Sequence, residues 1–534
     1  MQTSPIVPRN SYDALIVGGG HNGLVAACYL ARAGLSVCLL ERYHTVGGAA
    51  ITEEIAPGFH LSAGSYVLSL FPQTILDDLG AWSHGIELIG RNPRFFMPFP
   101  DGSSLIAWED HDRFMAEIAR FSRKDAANYP RYDAFVEQAS QVMDKFILHR
   151  PPSFAEFAAE FRTPEEARVF QKMILGSVAD VAEYFFESEQ MQAVACAFGL
   201  IGTFRGPRDA GTAYVKLYHS MGNVTGKRGQ WAYVRGAMGS VTRALASVAT
   251  GLGIDIRTES EVERICVRDR RVTGAITRRG EEFHAGIVLS NADPKRTYLS
   301  LVEREQLPAD FVRDIAAIQL DSPVMKLNLA VEELPRFTAL ESAGRDQHLA
   351  HTGGVFVGPS IDYMQRAYED ARNGRPADYP IYSVHMQSAV DPSVAPPGKH
   401  TLSIFTQYFP YTLADSSWDV RREEIADGAL QGFADYAPNV PGSIIARQVL
   451  GPPDIEARFG LTGGHIFQGE LVPEQAFDMR PVPGSSSYEG PVRGLYLCGA
   501  GAWPGGCVMG APGHNAAQEA IEAFQGAGKP VGVR

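Results

Sequence analysis

The chain has 534 residues and a formal net charge of −13 at pH 7, with 45% hydrophobic and 20% charged residues. This length exceeds what one hydrophobic core usually supports, so two or three cooperating domains are expected. The composition is typical of a soluble globular enzyme rather than of a disordered or fibrous protein. Acidic residues interrupt or flank the densest basic stretches, at 268–271 and 278–279, so no nucleic-acid partner is expected.

Residues 1–10 contain no apolar core preceded by basic residues, so no secretory signal is expected and a cytoplasmic location is predicted. Glycines and Arg32 interrupt the most apolar stretch, residues 14–40. No integral membrane segment is therefore predicted, while peripheral membrane contact stays open. The six cysteines form no C-x-x-C pair, which argues against a disulfide framework, a metal site and a dithiol redox centre.

The beginning of the chain has the pattern of a βαβ unit. Residues 12–17 are an apolar run that ends in glycines, residues 24–33 have helical character, and residues 35–40 are apolar again. Farther along, residues 110–204 follow a helical pattern, for which breaks are predicted at Pro130 and at Pro151 and Pro152.

The second half of the chain is predicted to alternate strands and helices. Residues 236–239 should open a helix, and residues 262–278 should form a hairpin. The final helix is predicted to begin near His514. Further strands are predicted at 254–257, 287–291, 324–331, 381–387, 401–408 and 495–498.

A dinucleotide-binding pattern follows the first predicted strand. Gly18, Gly20 and Gly23 fit G-x-G-x-x-G at the start of the predicted helix, where glycines allow backbone N–H groups to approach a pyrophosphate. Glu41 ends the second strand, where a carboxylate can accept hydrogen bonds from a ribose diol. Paired glycines and Thr52 follow it, which favours the longer FAD over NAD. The predicted cofactor contacts of this segment are Gly18, Gly20, His21, Asn22, Gly23, Glu41, Arg42, Gly47, Gly48 and Ala49.

Residues 17–52 resemble the signature of the glutathione-reductase-type FAD proteins, in the branch that contains amine oxidases and phytoene desaturases. Residues 495–517 resemble the C-terminal segment of phytoene-desaturase-like proteins, which lies along the flavin with a helix N-terminus at the pyrimidine end of its ring. This resemblance adds Gly499, Gly510 and Asn515 to the predicted cofactor contacts.

Other motifs extend the resemblance over nearly the whole chain, to the phytoene-dehydrogenase-related family of pyridine nucleotide-disulphide oxidoreductase domain-containing protein 2. The motifs lie at 187–189, 231–239, 289–291, 322–324, 402–412, 452–454 and 459–467. The resemblance implies an FAD-dependent oxidoreductase. The chain departs from the expected pattern at Trp503 in place of His, Cys507 in place of Gly, His514 in place of Arg, and within residues 463–468.

These departures supply the candidate catalytic residues. Trp503 is expected either to face the flavin or substrate or to pack in the core, and Cys507 either to face the flavin or to act as a small core residue. His465 is a candidate proton carrier or a structural hydrogen-bonding residue. His514 is expected to lie at the helix start that faces the flavin, or to point to solvent. Phe185, Phe186 and Phe198 line an apolar tunnel or fill a helical core, and the core is preferred.

The predicted fold class is α/β, with a glutathione-reductase-type FAD-binding Rossmann-like domain and an α+β substrate domain. The FAD domain is assigned to 1–95, 228–296 and 488–534, the mainly helical part of the substrate domain to 96–227, and its mixed sheet to 297–487. The predicted reaction is hydride transfer from a C–H bond of an apolar small molecule to FAD, with oxygen or a quinone as acceptor. An amine oxidase-like enzyme and a flavin-bearing interaction protein with little turnover are the alternatives.

Overall fold

The computed structural model of the protein describes residues 10–527. The strands are β1 (Ala14–Val17), β2 (Val37–Leu40), β3 (Thr52–Ala56), β4 (Phe59–Ser62), β5 (Leu88–Ile89), β6 (Phe95–Pro98), β7 (Ser104–Ala107), β8 (Tyr233–Val234), β9 (Asp255–Arg257), β10 (Val262–Arg268), β11 (Arg271–Thr277), β12 (Glu282–His284), β13 (Ile287–Ser290), β14 (Val324–Val331), β15 (Gly354–Val357), β16 (Ile381–His385), β17 (His400–Gln407), β18 (Ile444–Leu450) and β19 (Leu495–Leu497).

The α-helices are α1 (His21–Arg32), α2 (Gln73–Asp78), α3 (His111–Ala119), α4 (Arg123–Asp144), α5 (Phe154–Ala158), α6 (Pro164–Phe170), α7 (Val178–Phe185), α8 (Glu189–Cys196), α9 (Thr212–Ser220), α10 (Gly239–Gly251), α11 (Ala309–Ala317), α12 (Thr338–Ser342), α13 (His348–His351), α14 (Ile361–Arg372), α15 (Trp418–Ala434), α16 (Pro452–Phe459) and α17 (Ala511–Ala527).

A five-stranded parallel sheet, in the order β19-β13-β1-β2-β9, is assembled from three separate stretches of the chain. Its central strands are buried on both faces, as parallel strands covered by helices are. Helix α1 crosses from β1 to β2 and packs against α10 and α17. The carboxyl ends of β1 and β2 therefore meet at one edge, where ligands bind in open parallel sheets.

A seven-stranded mixed sheet, in the order β18-β14-β17-β16-β15-β6-β7, forms the second half of the molecule. Lys326 on β14 pairs with Leu450 on β18 and Phe405 on β17, and Phe405 pairs with Ser383 on β16. Directly paired residues project to the same face of a sheet, so these four side chains form one row across four strands. The alternate residues of β14, among them Met325 and Leu327, project to the opposite face and pack in a separate core.

The mixed α/β architecture with a Rossmann-like sheet confirms the predicted fold class. The hairpin predicted within 262–278 is confirmed as β10 and β11. The domain boundaries stay a prediction.

The predicted break at Pro130 is wrong, because α4 continues through it from Arg123 to Asp144. Pro130 is exposed, so the carbonyl group left without an intrahelical partner lies on the solvent side of the helix, where the loss is least costly. The final helix begins at Ala511, before the predicted start near His514, because a proline fits the first turn of a helix, where no intrahelical N–H bond is needed.

Candidate cofactor groove and active-site cavity

The first glycine motif forms a tight turn between β1 and α1. Gly18 has a φ of +96°, and a Cβ atom at Gly23 would lie 2.2 Å from the carbonyl oxygen of Gly18. A Cβ at Gly20 would lie 2.7 Å from Nδ2 of Asn291. Only glycine therefore fits these positions. No side chain caps the N-terminus of α1, so its first backbone N–H groups are free to face an anion.

Glu41 follows β2 directly and is buried beside this turn. Its Oε2 accepts a hydrogen bond from the Gly19 N–H at 2.7 Å, and its Oε1 accepts one from the Tyr43 N–H at 2.8 Å. Burial raises the pKa of Glu41, and the two backbone donors act in the opposite direction. The carboxylate is thus held in one orientation and retains lone pairs for a diol.

The second glycine pair, Gly47 and Gly48, is hydrogen-bonded to the first turn. The Gly47 N–H donates to the Gly19 carbonyl oxygen at 2.8 Å. Thr52 closes this segment against the start of α10, because its Oγ1 accepts from the Gly239 N–H at 3.0 Å and donates to the Gly236 carbonyl at 3.1 Å. The motif therefore places two glycine turns side by side.

These two turns form one wall of a groove of about 1170 Å³. The predicted cofactor residues that line it are Gly18, Gly20, His21, Asn22, Glu41, Arg42, Gly48 and Ala49. Buried polar atoms normally have hydrogen-bond partners. Here Nε2 of His21 and Oδ1 of Asn22 have none among the described residues. Glycine turns, an oriented carboxylate and unpaired polar atoms together fit a dinucleotide.

The other predicted cofactor residues lie behind the wall of the groove. Gly23 and Gly47 permit close packing, since a Cβ at Gly47 would lie 2.7 Å from Oγ1 of Thr242. A Cβ at Gly499 would lie 2.7 Å from the carbonyl oxygen of Asn291, and one at Gly510 would lie 2.8 Å from the Phe71 ring.

Asn515 lies in the first turns of α17, and its amide is engaged within the protein. Nδ2 donates to the carbonyl oxygens of Ile147 at 3.0 Å and His149 at 3.1 Å, and contacts the Tyr488 hydroxyl at 2.9 Å. It thereby joins α17 to the segment that follows α4.

The groove continues into an apolar cavity of about 1110 Å³. Six residues, called the junction residues below, line both spaces: His21, Ala49, Phe459, Leu461, Ile466 and Cys507. Beyond the junction the wall is mainly apolar, with Phe198, Ile201, Phe405, Leu450 and Phe467 among its residues. A flat ring at the end of the groove would therefore face an apolar chamber.

Cys507 is the sequence departure that the structure places at the junction. Its φ is +66°, a region that favours glycine, which explains why glycine is expected at this position. Its Sγ lies 3.9 Å from Nε2 of His219, whose Nδ1 lies 2.9 Å from the Val215 carbonyl oxygen. Burial raises the pKa of Cys507 to about 12 and lowers the pKa of His219 to about 4, so both side chains are neutral.

Trp503 and His465 are fully buried and are absent from the lining of the groove and the cavity among the described residues. Nε1 of Trp503 donates to the Phe146 carbonyl oxygen at 3.1 Å. His465 accepts from the Phe467 N–H through Nδ1 at 3.3 Å, and its Nε2 lies 3.5 Å from Glu470. Both side chains thus contact protein groups only.

His514 is not among the described residues that line the cavity or the groove. Its ring packs edge-on against Tyr29, with ring centroids 4.8 Å apart, and Nδ1 lies 2.8 Å from Oδ1 of Asn515. Burial lowers the pKa of His514. The backbone just before α17, including Val508, reaches the cavity instead.

The three phenylalanines divide between the two expected roles. Phe185 and Phe186 pack around Tyr132 in the helical core. Phe198 lines the cavity.

The structure adds three side chains that the sequence interpretation missed. Arg91, Lys326 and His385, called the basic cluster below, line the cavity beyond the junction. The signal for Lys326 is the alternation of β14, in which Met325, Leu327, Leu329 and Val331 form one apolar face while Lys326 and Asn328 lie on the other, buried face.

The Rossmann-like sheet, the groove and the adjoining cavity define an oxidoreductase with a flavoprotein-like fold. Residues 16–79 match the family model described as an NAD(P)-binding Rossmann-like domain. Pyridine nucleotide-disulfide oxidoreductase domain-containing protein 2 of Rattus norvegicus is 40% identical over 540 residues, which cover 95% of this chain and 93% of the relative. The chain belongs to this family, within the flavin-type oxidoreductases.

More distant relatives carry names of terpenoid enzymes. A limonene dehydrogenase chain of Castellaniella defragrans is 25% identical, with 95% of this chain and 94% of the relative covered. Phytoene desaturase (lycopene-forming) of a Paracoccus species is 23% identical, with 94% and 95% covered. The solved structure of cyclohexylamine oxidase from Brevibacterium oxydans shares the fold at a TM-score of 0.59 and 16% identity, covering 96% of this chain and 99% of that chain.

None of the helices within residues 10–527 combines the length and the apolar character needed to cross a membrane.

Proposed function

We propose that the protein is an FAD-dependent oxidoreductase that removes a hydride from a C–H bond of a largely apolar small molecule. The observation that carries this proposal is the continuity of the groove with the apolar cavity through the six junction residues. Dehydrogenation requires a reacting carbon and a redox ring in contact, in a space closed to water.

In this proposal the two glycine turns hold the diphosphate through backbone N–H groups, and Glu41 accepts the hydroxyl groups of the adenosine ribose. His21 is neutral, because burial lowers its pKa to about 4, so it offers a hydrogen-bonding atom without a charge. The junction residues then place the redox ring at the mouth of the cavity.

FAD, when bound, would accept the hydride, while the substrate would lose a proton from the adjacent atom to the surrounding medium, so that a double bond forms between the two atoms. The protein's own contribution is to bind the substrate along the apolar wall and to exclude water. Cys507 and His219 are both neutral and face this space, so they add bulk and polarity without a charge. Oxygen or a quinone is the proposed acceptor in the second half-reaction.

An amine oxidase-like activity is the second candidate, because the fold is shared with cyclohexylamine oxidase. The charge of the cavity opposes it, since Arg91 and Lys326 line the cavity and none of its lining residues is Asp or Glu. An ammonium substrate would be repelled there. The relatives named for limonene and phytoene fit an apolar substrate better.

The test begins with the purified protein. We expect a yellow protein from which acid precipitation releases FAD, since the contacts described above are non-covalent. Flavin that stays in the pellet would contradict the non-covalent assignment, and failure to bind added FAD would contradict the proposed function.

The substrate class is tested by anaerobic bleaching of the flavin. We expect terpenoid and polyene alkenes to bleach it and primary amines to leave it oxidised. Re-oxidation is then followed with oxygen, by hydrogen peroxide release, and with a soluble quinone. Bleaching by amines alone would favour the amine oxidase, and a flavin that no candidate reduces would favour an interaction protein with little turnover.

A further inference from the structure

The cavity contains two buried cationic side chains that the proposed hydride transfer does not use. The relative exposure of Lys326 is 2%, and that of Arg91 is 9%. Neither forms an ion pair with a carboxylate in the described part of the chain, in contrast to the many surface arginines that do. Burying a charge without a counter-charge is costly, and proteins normally pair such groups.

The protein supplies only neutral partners to these two cations. Nζ of Lys326 donates to Oγ of Ser403 at 2.6 Å and lies 4.3 Å from the centroid of the Tyr66 ring. Nε of Arg91 donates to the Trp231 carbonyl oxygen at 2.9 Å. The Arg91 side chain also interacts with the neutral Tyr233 side chain. Lys326, whose ammonium group has three N–H donors, retains donors for a ligand in the cavity.

Gly354 brings Arg91 next to the third member of the basic cluster. A Cβ atom at Gly354 would lie 3.0 Å from Nη1 of Arg91 and 2.9 Å from Cε1 of His385. The His385 ring is fixed by Ser383 on one side and Tyr233 on the other, at 3.2 Å and 3.3 Å. Burial lowers the pKa of His385, and the nearby positive charges of Arg91 and Lys326 act in the same direction, so the ring is neutral.

The basic cluster lies away from the cofactor groove. None of its three residues is among the described residues that line the groove. Arg91 instead also borders a neighbouring pocket, and His385 borders another. The charge is therefore placed at the substrate end of the cavity, beyond the apolar wall.

We propose that the basic cluster binds the carboxylate of an amphipathic substrate, whose apolar body extends along the cavity toward the junction residues. This inference rests on the proposed function and specifies its substrate class. Arg91 offers a planar guanidinium suited to a carboxylate, and Lys326 offers an amine that a bound carboxylate holds in its protonated form. The ligand thereby supplies the counter-charge that the protein lacks.

The experiment measures the binding of simple probes to the purified full chain by titration calorimetry. Octanoate is compared with octanamide, which has the same shape and no charge, and with octylamine, which has the opposite charge. We expect octanoate to bind at least about tenfold more tightly than octanamide, the scale of one charge-assisted hydrogen bond. Equal affinities for the two, or a preference for octylamine, would overturn the proposal.

Variants test whether the preference for octanoate over octanamide comes from the basic cluster. We expect Arg91→Gln and Lys326→Met to lower the affinity for octanoate about tenfold and to leave that for octanamide unchanged. Arg91→Lys, which retains the charge, should recover part of the loss. Lys216→Met is the matched control, because Lys216 is also an inward-facing lysine but borders the neighbouring pocket and not this cavity. An equal loss of octanoate affinity in Lys216→Met would overturn the assignment.

The FAD content of each sample is measured separately. A protein that binds no FAD but still prefers octanoate would contradict the proposed function and support the carboxylate site. A flavoprotein that is bleached by neutral alkenes and shows no preference for octanoate would support the proposed function and contradict the carboxylate site.

Discussion

The cofactor groove and the apolar cavity share a wall but are built from different parts of the chain. One wall of the groove comes from residues 17–51, where glycines allow close approach and Glu41 supplies a carboxylate, and the rest comes from segments within 261–301 and 458–507. The cavity is formed by side chains from the helical segment, the seven-stranded sheet and the loop before α17. Substitutions at the groove's glycines should therefore act through steric fit, whereas those at Glu41 and in the cavity should act through charge and affinity.

The largest effect is expected at Gly23. A Cβ in Gly23→Ala would lie 2.2 Å from the Gly18 carbonyl oxygen, so α1 must shift away from the turn. We expect the free energy of unfolding to fall by about 3 kcal/mol, the upper range for overpacking, and FAD to be lost. Urea denaturation and flavin content measure both.

Gly428→Ala is the control, because Gly428 lies within α15 with open space around it. Alanine there should stabilise the protein by about 0.5 to 1 kcal/mol. If Gly23→Ala stabilised the protein as this control does, the close packing at Gly23 would not contribute to stability.

A smaller loss is expected for Glu41→Ala, which removes the acceptor assigned to the ribose. FAD affinity should fall by about 1.5 to 3 kcal/mol, the value of a hydrogen bond to a charged group. Quenching of flavin fluorescence measures the dissociation constant. Glu54→Ala, on an exposed position of β3, should leave it unchanged, and an unchanged constant for Glu41→Ala would remove Glu41 from the site.

Lys326, in the wall of the cavity, should make the free energy of unfolding depend on pH. Burial lowers its pKa from 10.5 to about 7, so between these values the unfolded chain binds a proton that the folded protein does not. The free energy of unfolding should therefore rise with pH from about 7 toward 10. Tyr66 and His385 are the titratable side chains that face Lys326, and both are neutral at pH 7.

Replacing Lys326 by Met should remove this contribution to the pH slope and stabilise the protein at pH 7 by on the order of 1 kcal/mol, because folding then no longer requires the amine to lose its proton or to be buried as a charge. Urea denaturation at pH 7 and pH 9 compares the two proteins. The same variant should bind octanoate less well, so gain of stability and loss of affinity go together. A variant less stable than the parent at pH 7 would contradict this.

The smallest effect is expected at Cys507. Glycine adopts its φ of +66° without strain, so Cys507→Gly should raise the free energy of unfolding by about 1 kcal/mol or less. Because burial raises the thiol pKa to about 12, alkylation of Cys507 at pH 8 should be slow in the folded protein and fast in urea. Rapid alkylation of the folded protein would show that the thiol is more exposed than described.

The groove was predictable because its chemistry is local in sequence. Gly18, Gly20, Gly23 and Glu41 lie within one βαβ unit, whose geometry fixes where each residue comes to lie. Gly47, which packs closely against Thr242, belongs to the same motif as the residues that line the groove, so spacing alone does not separate contact from support.

The cavity was not predictable in the same way. Lys326, Phe405 and Ser383 meet only through the register of three strands that are distant in sequence. Residue type also left open whether Trp503 and Cys507 face the flavin or pack in the core, and both assignments stay predictions. The position of the Cys507 side chain at the junction depends on its left-handed backbone, and that conformation is not visible in the sequence.

Asn515 links the two regions mechanically. Its amide holds the segment after α4 to α17, and α17 touches the first glycine turn, since a Cβ at Gly513 would lie 2.1 Å from the Asn22 carbonyl oxygen. The Asn515 amide thus connects the helical segment of residues 110–204 with α17, the helix that packs on the first glycine turn. We expect these two parts of the molecule to move as one body rather than about a hinge between them.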